Sequence, residues 1–172
     1  MNSRILALAF SAVLVSIPHM AASADTKEKA AAVTEEDGKF FDADGTPTFK
    51  IENGSVDWYT FSGYRRYHSD CHVCHGPDGV GSSYAPSLAE SMKTMDYGTF
   101  LSIVAEGRQN VGGGKENVMP AFGDNKNVYC YLDDIYIYLR ARAVDAAPRG
   151  RPPKKADKPQ GAKDYEVSCM GG

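Results

Sequence analysis

Cys71, Cys74 and His75 stand in the run Cys71-His72-Val73-Cys74-His75, and this C-x-x-C-H spacing suits covalent haem attachment. Each thiol can add across one haem vinyl group, and the imidazole that follows is placed to bind the iron from below. Other chemistries of a cysteine pair fit less well. A zinc site needs a second ligand pair, whereas Cys130 and Cys169 are isolated, with no histidine near them. A thioredoxin-like redox pair needs a preceding strand and a βαβ context that the flanking residues do not offer.

The chain opens with Arg4, an apolar run from Ile5 to Ile17 and Ala22-Ser23-Ala24, the pattern of a cleavable secretory signal over residues 1–24, with the mature protein starting at Asp25. No later stretch approaches the ~20 apolar residues of a membrane-spanning helix. The expectation is an exported protein without stable membrane insertion, in a bacterial periplasm, where c-type haem is attached and disulfides persist. Charge is unevenly spread: residues 25–60 carry nine acids against four lysines, and from Arg140 onward eight bases face four acids. An acidic head and a basic tail argue against nucleic acid as the partner and leave charged protein surfaces as docking sites.

These residues need elements to position them. Residues 25–56 read as an acidic extension: little fixed structure to about Gly38, then a hairpin of Lys39–Asp42 and Thr48–Ile51 around a Gly-containing loop. Asp42-x-Asp44-Gly45 is read as a plain turn, since it lacks the other acids of a calcium loop. A helix is predicted from Ser55 or Asp57 through Trp58, Phe61 and Tyr64 toward His68. A second begins at the Asp96 cap, carries Phe100, Ile103 and Val104 as its apolar stripe and stops at Gly107. The last spans about Val128 to Arg142 after an Asn127 cap, with Leu132, Ile135, Tyr136 and Leu139 on one face. Residues 146–172 form a basic, proline-rich tail, expected to be extended and mobile unless something ties it down.

From residue 57 to 145 the chain resembles a class I cytochrome c, on motifs in a fixed order. Gly63-x-x-x-Tyr67-x-x-x-Cys71 resembles the family's first helix, where a glycine admits the last helix closely and an aromatic packs at the crossing, here facing Ile135, Tyr138 and Leu139. Gly76-Pro77-Asp78-Gly79 continues the haem motif in the usual way. The resemblance implies a mainly α fold around one covalently bound haem c. It makes the Pro86 carbonyl of Ala85-Pro86-Ser87-Leu88 the acceptor of a bond from His75, an outer-shell contact that fixes the ring. It makes Met119, in Asn117-Val118-Met119-Pro120, the distal iron ligand opposite His75, which favours ferrous iron. Met92 and Met95 are read as packing residues, and His68 as unable to reach the opposite face. Tyr64, Trp58, Arg108, Asn110 and Asn117 are candidates to bond the propionates, or ordinary packing and surface residues.

More narrowly, the acidic hairpin, Asp57-Trp58-Tyr59 and four cysteines ending in Ser168-Cys169-Met170 resemble the four-cysteine c-type cytochromes of bacterial methanol metabolism. That likeness implies a monomeric periplasmic one-electron carrier, fed by a quinoprotein methanol or alcohol dehydrogenase and drained by another cytochrome or a terminal oxidase. Two rivals stay open: a haem enzyme with a labile sixth ligand, and a sensor or non-catalytic subunit of a larger complex. Cys130 and Cys169 remain after haem attachment, and an even remainder in an exported protein suggests a disulfide; a buried thiol at Cys130 with a free one at Cys169 is the alternative. Arg65, Arg66, Lys115, Lys126 and the bases of the tail are the positions available to steer an acidic partner.

Overall fold

The computed structural model describes residues 26–112 and 115–171, so the expected signal segment lies outside the described residues. Two helices form the frame: α2 (Trp58–Asp70) and α7 (Leu132–Ala143). Asp57 starts α2, its Oδ1 accepting the Thr60 N–H at 2.8 Å and its Oδ2 accepting the Lys50 N–H at 2.8 Å. One carboxylate thereby caps the helix and ties down the strand before it. Every residue of α7 from Ile135 to Leu139 is buried, as expected for a helix enclosed on all sides.

The two helices cross at Gly63. A Cβ there would collide with the Asp134 carbonyl and stand 2.8 Å from the Tyr138 Cβ, so only glycine permits the approach. Tyr138 meets the rings of Tyr64 and Tyr67 at centroid distances of 5.7 Å each. Leu88–Ser91 (α4) and Tyr97–Glu106 (α5) complete the core, with Phe100 and Val104 of α5 buried against Tyr136 and Leu139. Asp96 caps α5 through the Thr99 N–H, and Gly107 ends it at φ +78°.

Four features differ from the sequence reading. The segment before Gly38 is not structureless: α1 covers residues 26–29, and β1 (Thr34–Glu36) pairs antiparallel with β2 (Lys39–Phe41), which pairs in turn with β3 (Pro47–Thr48). Arg140 of α7 holds this sheet, donating to the Pro47 and Lys29 carbonyls and, at 2.6 Å, to Asp42 Oδ2. Asp42 Oδ1 accepts the Asp44 and Thr46 N–H groups, which makes its loop an Asx-type turn.

Second, the last helix is interrupted. A short α6 (Lys126–Tyr129), capped by Asn125 rather than Asn127, ends at Cys130, and α7 starts after Tyr131. Tyr131 N–H bonds back three residues to Val128, and its φ of −129° lies outside the helix before Ile135 N–H bonds to Tyr131 again.

Third, the tail is built into the body. β8 (Lys154–Lys155) pairs parallel with β5 (Ser55–Val56), itself paired with β4 (Ile51–Glu52), and α8 (Gln160–Met170) follows. Cys169 of α8 is bridged to Cys130 across 39 residues. Ala162 of α8 packs with Tyr59 and Ile137, and Phe49 and Trp58 flank them.

Fourth, β6 (Arg108–Gly112) pairs antiparallel with β7 (Lys115–Met119), so Met119 ends a strand and does not lie at a loop tip. The signal for this pairing was present in the glycines between two extended runs, which suit a tight reversal.

Candidate functional site

The C-x-x-C-H residues lie on a single turn continuous with α2. Cys71 ends α2 and begins α3 (His72–His75), with the Cys74 and His75 N–H groups both bonded to the Cys71 carbonyl at 3.2 and 3.0 Å. Positions three and four apart on a helical turn share a face, so both thiols and the imidazole are gathered together. The chain then reverses through Gly76 at φ +72° and a 3₁₀ turn, Pro77–Gly79. A side chain at Gly76 would collide with the Gly81 carbonyl. The Tyr67 hydroxyl donates to the Gly76 carbonyl at 2.5 Å and locks the reversal to α2.

His75 is buried, and its Nδ1 lies 3.0 Å from the Pro86 carbonyl oxygen. A carbonyl only accepts, so Nδ1 carries the proton and Nε2 keeps its lone pair. His68 is held differently. Its Nδ1 donates to the Tyr64 carbonyl at 2.8 Å and its Nε2 accepts the Asp78 N–H at 3.4 Å, so both ring nitrogens are engaged on the α2 side.

Asp78 is buried in the left-handed region at φ +57°. Its carboxylate accepts from Tyr138 Oη at 3.2 Å and from the Gly150 N–H at 3.0 Å, and the Arg142 guanidinium donates to its carbonyl. Burial alone would raise its carboxyl, but these bonds and the neighbouring His68 and Arg149 outweigh that and lower it. One acid thus joins the turn after the haem motif to α7 and to the tail.

Met119 is the last residue of β7, opposite Arg108, and is partly buried against the core cluster that Cys71 also flanks. The segment after it is laced to the end of α5: Phe122 N–H donates to the Val104 carbonyl and Gly123 N–H to that of Ala105, both at 3.0 Å. Gly107 leaves room for this lacing, because a Cβ there would lie 2.7 Å from the Met119 carbonyl oxygen. Met92 is buried in that cluster and Met95 flanks it. Trp58 sits at the far end of α2 from Cys71, with the Lys155 and Lys158 ammonium groups 5.0 and 5.6 Å from its ring. Arg108 is exposed, Tyr64 packs beside His68 and Tyr138, and the side chains of Asn110 and Asn117 lie outside the described residues.

The residues present fit a haem. Cys71 and Cys74 are unbridged while Cys130 and Cys169 are joined, so the two thiols that the motif requires are the two left available. Burial, reinforced by Asp70 and Cys74, pushes the Cys71 thiol up to about 12. A thiol-exchange pair depends on a lowered value, so this environment opposes thioredoxin-like chemistry.

Comparison with known proteins agrees with this geometry. Residues 61–139 match the family model described as cytochrome c oxidase, cbb3-type, subunit III. Cytochrome c-553I of Paracoccus denitrificans is 57% identical over 138 residues, 80% of this chain and 61% of that protein, so the chain spans about 61% of that relative's length. Cytochrome c-555 of Methylococcus capsulatus is 35% identical over 106 residues, 61% of this chain and 76% of that protein. Among solved structures, the c-type cytochrome XoxG from Methylobacterium extorquens AM1 superposes with a TM-score of 0.81 at 56% identity, covering 85% of this chain and 90% of that one.

Proposed function

Because the chain belongs to the class I c-type cytochromes, electron-transfer proteins rather than enzymes, we propose that it is a periplasmic carrier of one haem, reduced by a quinoprotein methanol dehydrogenase and oxidised by another cytochrome or a terminal oxidase. The observation that carries the reading is the His75 to Pro86 bond beside two available thiols. A bound haem supplies a one-electron ferric–ferrous couple at that place.

The protein's part in this is positional. Cys71 and Cys74 would hold the group covalently, and the Pro86 carbonyl orients the His75 ring and would increase its donor strength toward the iron. Met119, held by the β6–β7 hairpin and the lacing to α5, would be the second side chain to hold the iron. With His75 and Met119 both holding it, the group would supply one-electron transfer alone, and no side chain would have to act as acid, base or nucleophile. The disulfide supports export to an oxidising compartment. Among the described residues no helix is long and apolar enough to cross a membrane.

The methanol-linked donor rests on the likeness to XoxG. Visible spectroscopy and stopped-flow reduction test the reading together. A low-spin haem with the weak far-red methionine–iron band, reduced by purified methanol dehydrogenase, is expected. High-spin ferric haem, or ready carbon monoxide binding by the ferrous protein, would instead support an enzyme or a sensor.

A further inference from the structure

Between residues 149 and 158 the chain carries Arg149, Arg151, Lys154, Lys155 and Lys158 against one acid, Asp157. The structure ties this segment down at three points. Gly150 N–H is bonded to Asp78 at one end, β8 pairs with β5 in the middle, and α8 with its disulfide anchors the other end. The path begins at the turn after the haem motif, where Arg149 Nε lies 3.5 Å from Asp78 Oδ2. It then runs back along α2 to Trp58, a length of roughly 20 Å for a helix of this size.

The cations along it are placed, not merely solvated. The Arg151 guanidinium lies 5.6 Å from the Phe61 ring centroid, and the Lys155 ammonium lies 5.0 Å from that of Trp58 and 5.4 Å from that of Phe61. Lys158 is neutralised by Glu166. Arg151, Lys154 and Lys155 are exposed and have no carboxylate within ion-pair distance among the described residues. Of the other candidate bases, Lys126 bonds the Met170 carbonyl and Arg66 stacks 3.5 Å over Tyr131.

We propose that Arg151, Lys154 and Lys155 form a docking strip for an acidic patch on the dehydrogenase that reduces this cytochrome. The proposal rests on the carrier reading above and names the surface its donor uses. Unbalanced positive charge on a chain that is otherwise acidic attracts and orients an acidic protein. Rings that fix the cations beforehand reduce the ordering cost of association. At its Arg151 end the strip follows Gly150, which is bonded to Asp78 in the turn after the C-x-x-C-H motif, so a partner seated on the strip approaches the haem-attachment turn from that end.

The experiment compares the holo-cytochrome with R151Q/K154Q/K155Q and R151E/K154E/K155E; the backbone pairing of β8 survives both. Reduction by the methanol dehydrogenase of the same organism is followed at low and high ionic strength, with visible spectra and midpoint potentials recorded for each variant. The strip predicts a graded loss of second-order rate, about tenfold or more for the glutamate variant at low salt, merging at high salt, with spectra and potentials unchanged. Equal rates in all three proteins would overturn the strip and leave the carrier reading standing. A wild type that dithionite reduces but the dehydrogenase does not would overturn the donor assignment, and the strip's partner with it. Unchanged rates alongside variant-sensitive binding to phosphatidylglycerol-containing vesicles, but not to phosphatidylcholine vesicles, would overturn the strip as a protein surface and assign it to membrane lipid.

Discussion

Gly63 of α2 and Tyr138 of α7 meet at the crossing of the two central helices, where a side chain on Gly63 would stand 2.8 Å from the Tyr138 Cβ and collide with the Asp134 carbonyl. Gly63→Ala therefore forces the helices apart. A loss of about 3 kcal/mol or more is expected, at the upper end for overpacking, because backbone rather than a flexible side chain must yield. Urea denaturation of the holo-protein measures it; a loss below about 1 kcal/mol would mean that the crossing is looser than described.

Met119→Ala should open the sixth iron position, with loss of the far-red band, a high-spin or water-ligated ferric spectrum and a lower midpoint potential. Met92→Ala separates ligand from packing. Met92 is buried in the core cluster, so its truncation should cost about 2–5 kcal/mol in stability while the far-red band survives. A Met119→Ala protein that keeps the band would show that another group binds the iron.

The Cys130–Cys169 bridge closes a loop across 39 residues, which contributes about 4 kcal/mol in the chain-entropy model. Replacing both cysteines with serine should lower the melting temperature and expose the α8 segment to protease, with the haem spectrum retained. Thiol titration of the denatured, non-reduced protein should find no free thiol; two per chain would sink the bridge.

Asp134 sets a pH dependence. Burial, opposed by a bond from Ser62 and by Lys39, pushes its carboxyl up to about 7 from an ordinary 3.8. An acid whose folded value is raised takes up a proton on folding, so its effect on stability is neutral below about pH 4 and becomes a growing loss up to about pH 7. Asp134→Asn should then stabilise the protein at pH 8 and change little at pH 4. Denaturation curves at both pH values check this, and a gain larger at pH 4 than at pH 8 would contradict it.

The Asp42–Arg140 pair has the opposite sign. Burial raises the Asp42 carboxyl, but Arg140 at 2.6 Å and the Thr46 and Asp44 N–H groups outweigh it, leaving the group below its ordinary value. Its contribution is present above about pH 4 and fades as acid protonates it. Asp42→Asn should loosen the N-terminal sheet at neutral pH, seen as faster amide exchange in β2 and β3, and should matter less in acid.

What the sequence determined by itself was chemistry carried by near neighbours. C-x-x-C-H lies within one turn, so the haem attachment proposed for it is read from five adjacent residues, and the Asp57 and Asp96 caps and the Gly107 stop are equally local signals. The glycine at position 63 could be assigned to a helix crossing only through resemblance, because nothing local says which helix will arrive. The tertiary structure alone decided the rest, through bonds between distant parts of the chain. The tail looked mobile because its composition favours solvent, yet β5, Asp78 and Cys130 each supply it with a partner. The N-terminal segment is ordered by Arg140, more than a hundred residues away from Lys29. Met119 sits at a strand end because β6 pairs with β7, and which cations stay unbalanced on the surface emerged only from pairings in space such as that of Lys158 with Glu166.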